Sequence, residues 1–397
     1  MFEAIQKLPP DPILGLTGAF DADPSPRKID LGAGVYKDES GNTPIFEAVK
    51  QAEKLWHEQE RTKVYIPQPG YADFNTALLK HVFGAGHPAL AAGRIRSVMA
   101  PGGCGGLRLG AELVNRSRPG ATIWLSQPTW NNHVPLLGGA GLRIHEYPYY
   151  DPERHEVDFE AMMEVLSVVP KTDVVLLHAC CHNPTGADLT QEQWDQVAEL
   201  AAEQGFLPFV DLAYQGLGNG LDEDAYGPRR LAEIVPELLL AYSCSKNFGL
   251  YRDRIGMVAT VAKDAASAEA AETHVTNIAR GIYSMSPSHG GAIVKTILGD
   301  QRLYGIWKQE LDAMRTRING LRALLADTLE KKQSPVDFSF IRNQRGLFTM
   351  LGLTREQMQR LRAEFSIYGV ESSRINIAGI SPKNVEYLAD SIIAVLK

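Results

Sequence analysis

Between about residues 95 and 262, short apolar runs alternate with amphipathic segments. The runs "SVMA", "ATIWLS", "LRIHEYP", "DVVLLHACC", "LPFVDLA", "ELLLAYS" and "RIGMVATVA" read as strands. Their hydrophobicity is continuous instead of alternating, which fits a mostly parallel sheet covered on both faces by helices. One intervening stretch, "LTQEQWDQVAELAAEQG", spells out a helix. Thr190 and Gln193 stand in the capping-box relation, Trp194, Val197, Ala198 and Ala201 share one face, and Gly205 offers a stop. Strand, helix and strand in succession predict a large α/β domain.

A different pattern starts near residue 301. "QRLYGIWKQELDAMRTRINGLRALLADTLEK" has apolar residues at 303, 306, 307, 311, 314, 318, 321, 324, 325 and 329. Steps of three and four predict a helix of about thirty residues, about 45 Å long and able to join two domains. After it "FSFI" and "LFTML" read as strands and "TREQMQRLRAEF" as a helix with another Thr-x-x-Gln box. "GVESSRINIAG" follows, and a closing helix is predicted from Ser381-Pro382, giving a smaller α+β domain. "LPPDP" should be an extended arm, since proline fixes its own φ and disfavours helix in the residue before it. The expected division is an arm at 1–12, the first part of the small domain at 13–40, the large domain at 41–300, and the long helix with the rest of the small domain at 301–397.

Composition narrows the function classes. A chain of 397 residues exceeds the size at which one core stops growing, and 44% hydrophobic with 22% charged residues is ordinary globular usage. A net charge of −7 without a basic run argues against nucleic acid. No stretch has the length and apolarity of a signal peptide or a membrane span, so a cytoplasmic location is expected. Cys104, Cys180, Cys181 and Cys244 are too few and too irregular for a disulfide framework and read as reduced thiols.

The candidate chemistry centres on "YSCSKNFGLYRDRIG", where Lys246 sits in the connection between two strands. A loop lysine is ordinarily just solvated. Ser243, Ser245 and Arg254 around it supply hydroxyls and a guanidinium fork suited to a phosphate dianion beside an amine. In "VMAPGGCGGLRLGAELV" a strand enters a glycine-rich turn that opens a helix, a second anion-binding element whose spacing is not that of a dinucleotide fold. Together they point to one phosphorylated cofactor whose other end meets a lysine, a description that pyridoxal 5'-phosphate fits.

The blocks "SCSKNFGLYRDRIG", "HACCHNPTGADLTQEQW", "VDLAYQGLGNGLDEDA" and "SSRINIAG", with "DPILGL" and "LGAGVYKDESG" near the start, resemble fold-type I, class I aminotransferases of the aspartate and aromatic amino acid branch. The resemblance runs nearly end to end. It implies a large domain with a mostly parallel sheet, a smaller α+β domain joined by a long helix, and transfer of an amino group from aspartate, glutamate or an aromatic amino acid to a 2-oxo acid in a ping-pong cycle.

It also implies roles. Lys246 condenses with the cofactor aldehyde and then shuttles a proton. Asp211 pairs with the pyridine nitrogen, Tyr214 and Asn183 donate to the phenolic oxygen, and Trp130 stacks on the ring. His133 stands behind Asp211. Gly103, Cys104, Ser243, Ser245 and Arg254 form the phosphate site, with Tyr65 reaching in from a partner subunit. Arg374 grips the α-carboxylate, near Gly34, Trp130 and Asn183 on the substrate side. Arg280, also from the partner, receives a second carboxylate. A homodimer with shared active sites follows. The plain alternatives are a cap for Asp211, a turn for Asn183-Pro184, packing for Tyr214 and Trp130, and a surface charge for Arg280.

Three positions depart from the pattern. Cys104 stands where the family usually has Thr or Ser, which predicts a weaker hold on the phosphate. Met285 and Ser286 replace a more usual Asn-Pro or Ser-Pro near Arg280, a change toward apolar or aromatic substrates. A metal reading of "LHACCH" fails on the expectation that His178 and His182 lie about 13 Å apart along one strand. A decarboxylase or lyase using the same lysine, or a non-catalytic binding protein on this fold, are the rival functions.

Overall fold

A computed structural model describes residues 2–8 and 12–397, with side chains from 15 onward in the second stretch. The arm expected at "LPPDP" falls on Pro9, Pro10 and Asp11, outside the described residues. The chain divides into two compact units. The smaller comprises the described residues of Met1–Thr43 with Pro184–Gly186 and Arg317–Lys397, and the larger comprises Pro44–Asn183 and Ala187–Thr316.

The larger unit is built on seven strands: β1 (Ile95–Ala100), β2 (Thr122–Gln127), β3 (Arg143–Pro148), β4 (Val174–His178), β5 (Leu207–Leu212), β6 (Leu238–Ser243) and β7 (Gly256–Val261). Their order is β1-β7-β6-β5-β4-β2-β3. β7 runs antiparallel to both neighbours and every other pair is parallel. All six residues of β6 and of β7 are buried, the physical reason these runs are continuously apolar.

The helices that cover the sheet obey the same economy of space. Helix α1 (Gly102–Ser117) sends Leu107, Ala111 and Val114 into a core with Ile123, Leu125, Phe209 and Ala241. It approaches so closely that a Cβ on Gly110 would stand 2.4 Å from Phe209 Cζ. Helix α2 (Gln191–Gln204) carries its capping box intact: Gln193 N donates to Thr190 Oγ1 at 3.2 Å and Thr190 N to Gln193 Oε1 at 2.9 Å. Gly205 closes it at φ 75°. Helix α3 (Ala265–Tyr283) lays Val275, Ile278 and Ala279 against Val98, Ala100 and Val258.

Helix α4 (Gln301–Lys331) has 31 residues. Leu303, Trp307, Leu311, Met314, Ile318, Leu321, Leu325 and Leu329 are buried along it, while Ile306 and Leu324 are half-buried. Residues 301–316 belong to the larger unit and 317–331 to the smaller.

In the smaller unit Ile29–Asp30 pairs in parallel with Ile367–Tyr368, and Phe348–Met350 pairs antiparallel with Arg374–Asn376. "FSFI" is not a strand. Ser339–Arg342 is a 3-10 turn, because Phe338 and Ile341, three apart, are the buried pair. The closing helix also starts later than expected, at Val385, since Asn384 Oδ1 accepts from Ser381 N and holds residues 381–384 as a turn.

Candidate active site

Asp211 lies one residue from the end of β5, and the parallel register sets it beside His178 at the end of β4. Ends of parallel strands are where open α/β sheets bind ligands. His133 Nε2 meets Asp211 Oδ2 at 3.1 Å, and His133 Nδ1 meets Thr129 Oγ1 at 2.8 Å. Thr129 Oγ1 in turn lies 3.2 Å from His178 Nε2. Burial opposes the Asp211 charge, but the His133 hydrogen bond, with electrostatic help from His133, His178 and Lys246, outweighs it and holds the carboxyl below its ordinary range. Asp211 Oδ1 is buried with no hydrogen-bond partner among the described residues.

The sequence signal for this chain of contacts was partial. His133 was expected behind Asp211, but Thr129 was not singled out and His178 was weighed only as a metal ligand. The 13 Å separation used against that metal was wrong. β4 ends at His178, Cys181 turns the chain at φ 52°, and the His178 and His182 rings lie 4.1 Å apart. His182 Nε2 meets Ser126 Oγ at 3.0 Å. Burial, reinforced by the neighbouring histidine His133, depresses His178 to about 3. The thiols of Cys180 and Cys181 and the Asp224 carboxylate lie within 4.8 Å of one another, but Asp224 accepts from the backbone of Gly216, Gly218 and Asn219 and serves to clamp that loop.

Lys246 is on the connection from β6 to β7, with Nζ 5.0 Å from the centroid of the buried Tyr214 ring. Burial pushes its ammonium below the ordinary lysine range; Asp211 and Cys104 act against this and Arg254 with it. At the same strand ends is an anion cup. Arg254, itself in the left-handed region at φ 53°, donates from Nη1 to Ser245 Oγ at 3.3 Å and to Tyr251 O at 2.9 Å. Ser245 N donates to Ser243 Oγ at 3.3 Å. The first turn of α1 faces them: a Cβ on Gly102 would stand 2.6 Å from Arg254 Nη2, and one on Gly103 would stand 3.1 Å from Ser243 Cβ. The glycines are therefore inside the helix start instead of a turn ahead of it, and their missing side chains bring backbone, guanidinium and hydroxyl together. Cys104 Sγ receives Asn132 Nδ2 at 3.8 Å.

Trp130 is half-buried and meets His133 edge-on, centroids 5.2 Å apart. Asn183 is buried in the same unit. Tyr65, by contrast, is 84% exposed. Arg280 is exposed on the last turn of α3, where Nη1 donates to Ser284 Oγ at 2.6 Å. Of the residues after it, Met285 is half-buried and Ser286 buried. Within the smaller unit Arg374 Nη2 donates to Gly32 O at 3.0 Å and its guanidinium lies 4.4 Å over the Phe348 ring. A Cβ on Gly34 would touch Phe348 Cζ at 3.2 Å, so Gly34 and Arg374 share that aromatic neighbour, which the sequence reading did not single out.

The arrangement fits pyridoxal 5'-phosphate: an unpartnered buried carboxylate oxygen for a ring N–H, a half-buried amine held below the ordinary lysine range, and an anion cup in which a side chain on Gly102 or Gly103 would intrude. Such a site on a sheet of this topology defines a pyridoxal-phosphate enzyme. A family model described as aminotransferase class I and II matches residues 26–392. The aspartate aminotransferase of Haemophilus influenzae is 49% identical over 396 residues, covering 100% of both chains. The aromatic-amino-acid aminotransferase of Pseudomonas aeruginosa is 43% identical over 391 residues, 98% of each chain. A solved structure of an aromatic-amino-acid aminotransferase from Burkholderia pseudomallei, covalently bound to pyridoxal phosphate, matches with a TM-score of 0.98 at 40% identity, covering 100% of both chains. The chain belongs to the class I and II aminotransferases. Transamination with pyridoxal 5'-phosphate is its chemistry, and the decarboxylase, lyase and binding-protein readings are not favoured.

Proposed function

We propose that the chain transfers the amino group of aspartate or glutamate, and with lower preference of aromatic amino acids, to a 2-oxo acid, as a homodimer with shared sites in the cytoplasm. The observation that carries the assignment of catalytic roles is the trio of half-buried Lys246 with buried Asp211 and His133, in which one Asp211 oxygen is taken and the other is unpartnered among the described residues. When bound, the cofactor supplies an aldehyde that exchanges amino groups and a ring that accepts the electrons of a broken bond at the α-carbon. Lys246 Nζ, kept toward the free amine by burial, takes and returns the α-proton. Asp211 holds a proton at the ring nitrogen, and His133 keeps Asp211 charged and oriented. Tyr214 and Asn183 would donate to the phenolic oxygen and Trp130 would cover the ring. Gly103, Cys104, Ser243, Ser245 and Arg254 would hold the phosphate, the glycines, serines and guanidinium being already gathered at one place. In the smaller unit Arg374 is proposed for the α-carboxylate, its planar fork matched to two oxygens, with Gly34 beside it.

Arg280 and Tyr65 are proposed to act in the partner's site, Arg280 on a side-chain carboxylate and Tyr65 on the phosphate. Their exposure in the single chain supports this. No helix among the described residues is long and apolar enough to cross a membrane.

Borohydride reduction of the loaded enzyme followed by peptide mapping should place the pyridoxyl label on Lys246. Label on another peptide would refute the assignment. A donor panel assayed for oxo acid and for carbon dioxide should show oxo acid alone, with aspartate and glutamate ahead of phenylalanine. Inactive Lys246→Ala mixed with inactive Arg280→Ala or Tyr65→Ala should recover activity in hybrid dimers, and complete failure would remove the shared-site proposal.

A further inference from the structure

We infer that Ser284 is a positioning residue that holds the Arg280 guanidinium ready for a side-chain carboxylate, and thereby sets the preference for dicarboxylic over aromatic amino acids. The inference rests on the reading of Arg280 given above. Helix α3 ends at Tyr283, and Ser284 follows with φ 71° and ψ −62°. Met285 N donates to Tyr283 O at 2.9 Å, which makes residues 283–285 a γ-turn of the rare, strained hand. Glycine would take that backbone without strain, yet a serine is present. Its hydroxyl is where the strain finds a use: Arg280 Nη1 donates to Ser284 Oγ at 2.6 Å, a charge-assisted contact across one helical turn.

The geometry is fixed from both sides. Ile278 and Ala279 are buried ahead of the turn and Ser286, 1% exposed, is buried after it, so the turn is anchored at both ends. An exposed arginine otherwise samples many rotamers. Tethering one Nη to a rigid turn removes most of them and leaves the remaining N–H groups of the guanidinium to meet a carboxylate. An aromatic substrate needs the same guanidinium out of the way and gains nothing from the tether.

The test uses the loaded dimer and single-turnover half-reactions with aspartate or phenylalanine, so that no acceptor enters. It also measures the Kd of maleate, a dicarboxylate with no amino group. Ser284→Gly relieves the backbone and removes the hydroxyl. It should weaken aspartate and maleate binding about tenfold while the maximal rate with aspartate, and both parameters for phenylalanine, stay within about twofold. Ser284→Asn, which tolerates positive φ and restores an acceptor, should recover part of the loss. In Arg280→Ala, adding Ser284→Gly should change nothing further. Unchanged dicarboxylate binding in Ser284→Gly, an equal loss with phenylalanine, or no recovery in Ser284→Asn would overturn the inference, while a lost dicarboxylate preference in Arg280→Ala would leave the proposed function standing. Preference retained in Arg280→Ala would instead refute the reading of Arg280 and the inference with it.

Discussion

Replacing Gly102 by alanine should loosen the cofactor as well as strain the fold. The residue sits at φ 70°, so any L side chain adds about 1–2 kcal/mol of backbone strain. The new methyl would also stand 2.6 Å from Arg254 Nη2 and 3.0 Å from Cζ, closer than atoms can approach, and the guanidinium must move. Leaving its contacts to Ser245 Oγ and Tyr251 O, it also leaves the anion cup. Losing one charge-assisted contact to a phosphate is worth about 1.5–3 kcal/mol, or about 10- to 150-fold in Kd. The assay is titration of the apoenzyme with pyridoxal 5'-phosphate, followed by the absorbance of the bound cofactor, beside denaturant unfolding of the apoenzyme. Gly205→Ala is the control, because φ 75° gives it the same backbone strain while its nearest new contact is Lys171 Cβ at an ordinary 3.5 Å. Equal cofactor affinity in folded Gly102→Ala and Gly205→Ala would refute the placement of Arg254 at the phosphate.

Two further predictions concern the apoenzyme and pH. Lys246→Met should unfold at higher denaturant than wild type near neutral pH, because desolvation holds the ammonium below its ordinary range; the unfolded chain keeps the proton longer as pH rises, so wild-type stability should climb toward pH 10.5 and the advantage of the variant shrink. An advantage independent of pH would contradict this. His81 is depressed to about 4 by burial first and Arg229 second, and its Nε2 has no partner among the described residues. Between 6.5 and about 4 the unfolded state takes up the proton first, so stability should fall with acid, and His81→Gln should remove roughly 3 kcal/mol of that fall in unfolding titrations.

The strands were legible because burial on both faces leaves no polar alternation to misread, as in "LLLAYS" and "GMVATV". The helix from Gln191 was legible to the residue, since capping box and left-handed glycine are local chemistry. "FSFI" misled because four residues with two aromatics fit a strand as well as a 3-10 turn, and only the tertiary burial of Phe338 and Ile341 decides. "DVVLLHACC" misled in a different way. Its apolar character continues past the strand, so nothing local announced that Cys181 turns the chain and brings the His182 ring to 4.1 Å from His178. The site residues were legible as a set through the resemblance of whole blocks. The connections between them, Thr129 bridging His133 to His178 and Phe348 beside both Gly34 and Arg374, join residues far apart in sequence and became visible only in space.

The antiparallel insertion of β7 between β1 and β6 has a consequence for how the site is gauged. Cys244 N bonds Ile255 O and Ser243 pairs with Gly256, so Lys246 and Arg254 are carried by one closed excursion of the chain. The span from reactive amine to anchoring cation is thus a caliper cut into a single loop, set by its residue count and not by how separate elements dock. Adding or deleting one residue there would reset the jaw and exclude a ligand of the original length, even with every side chain kept.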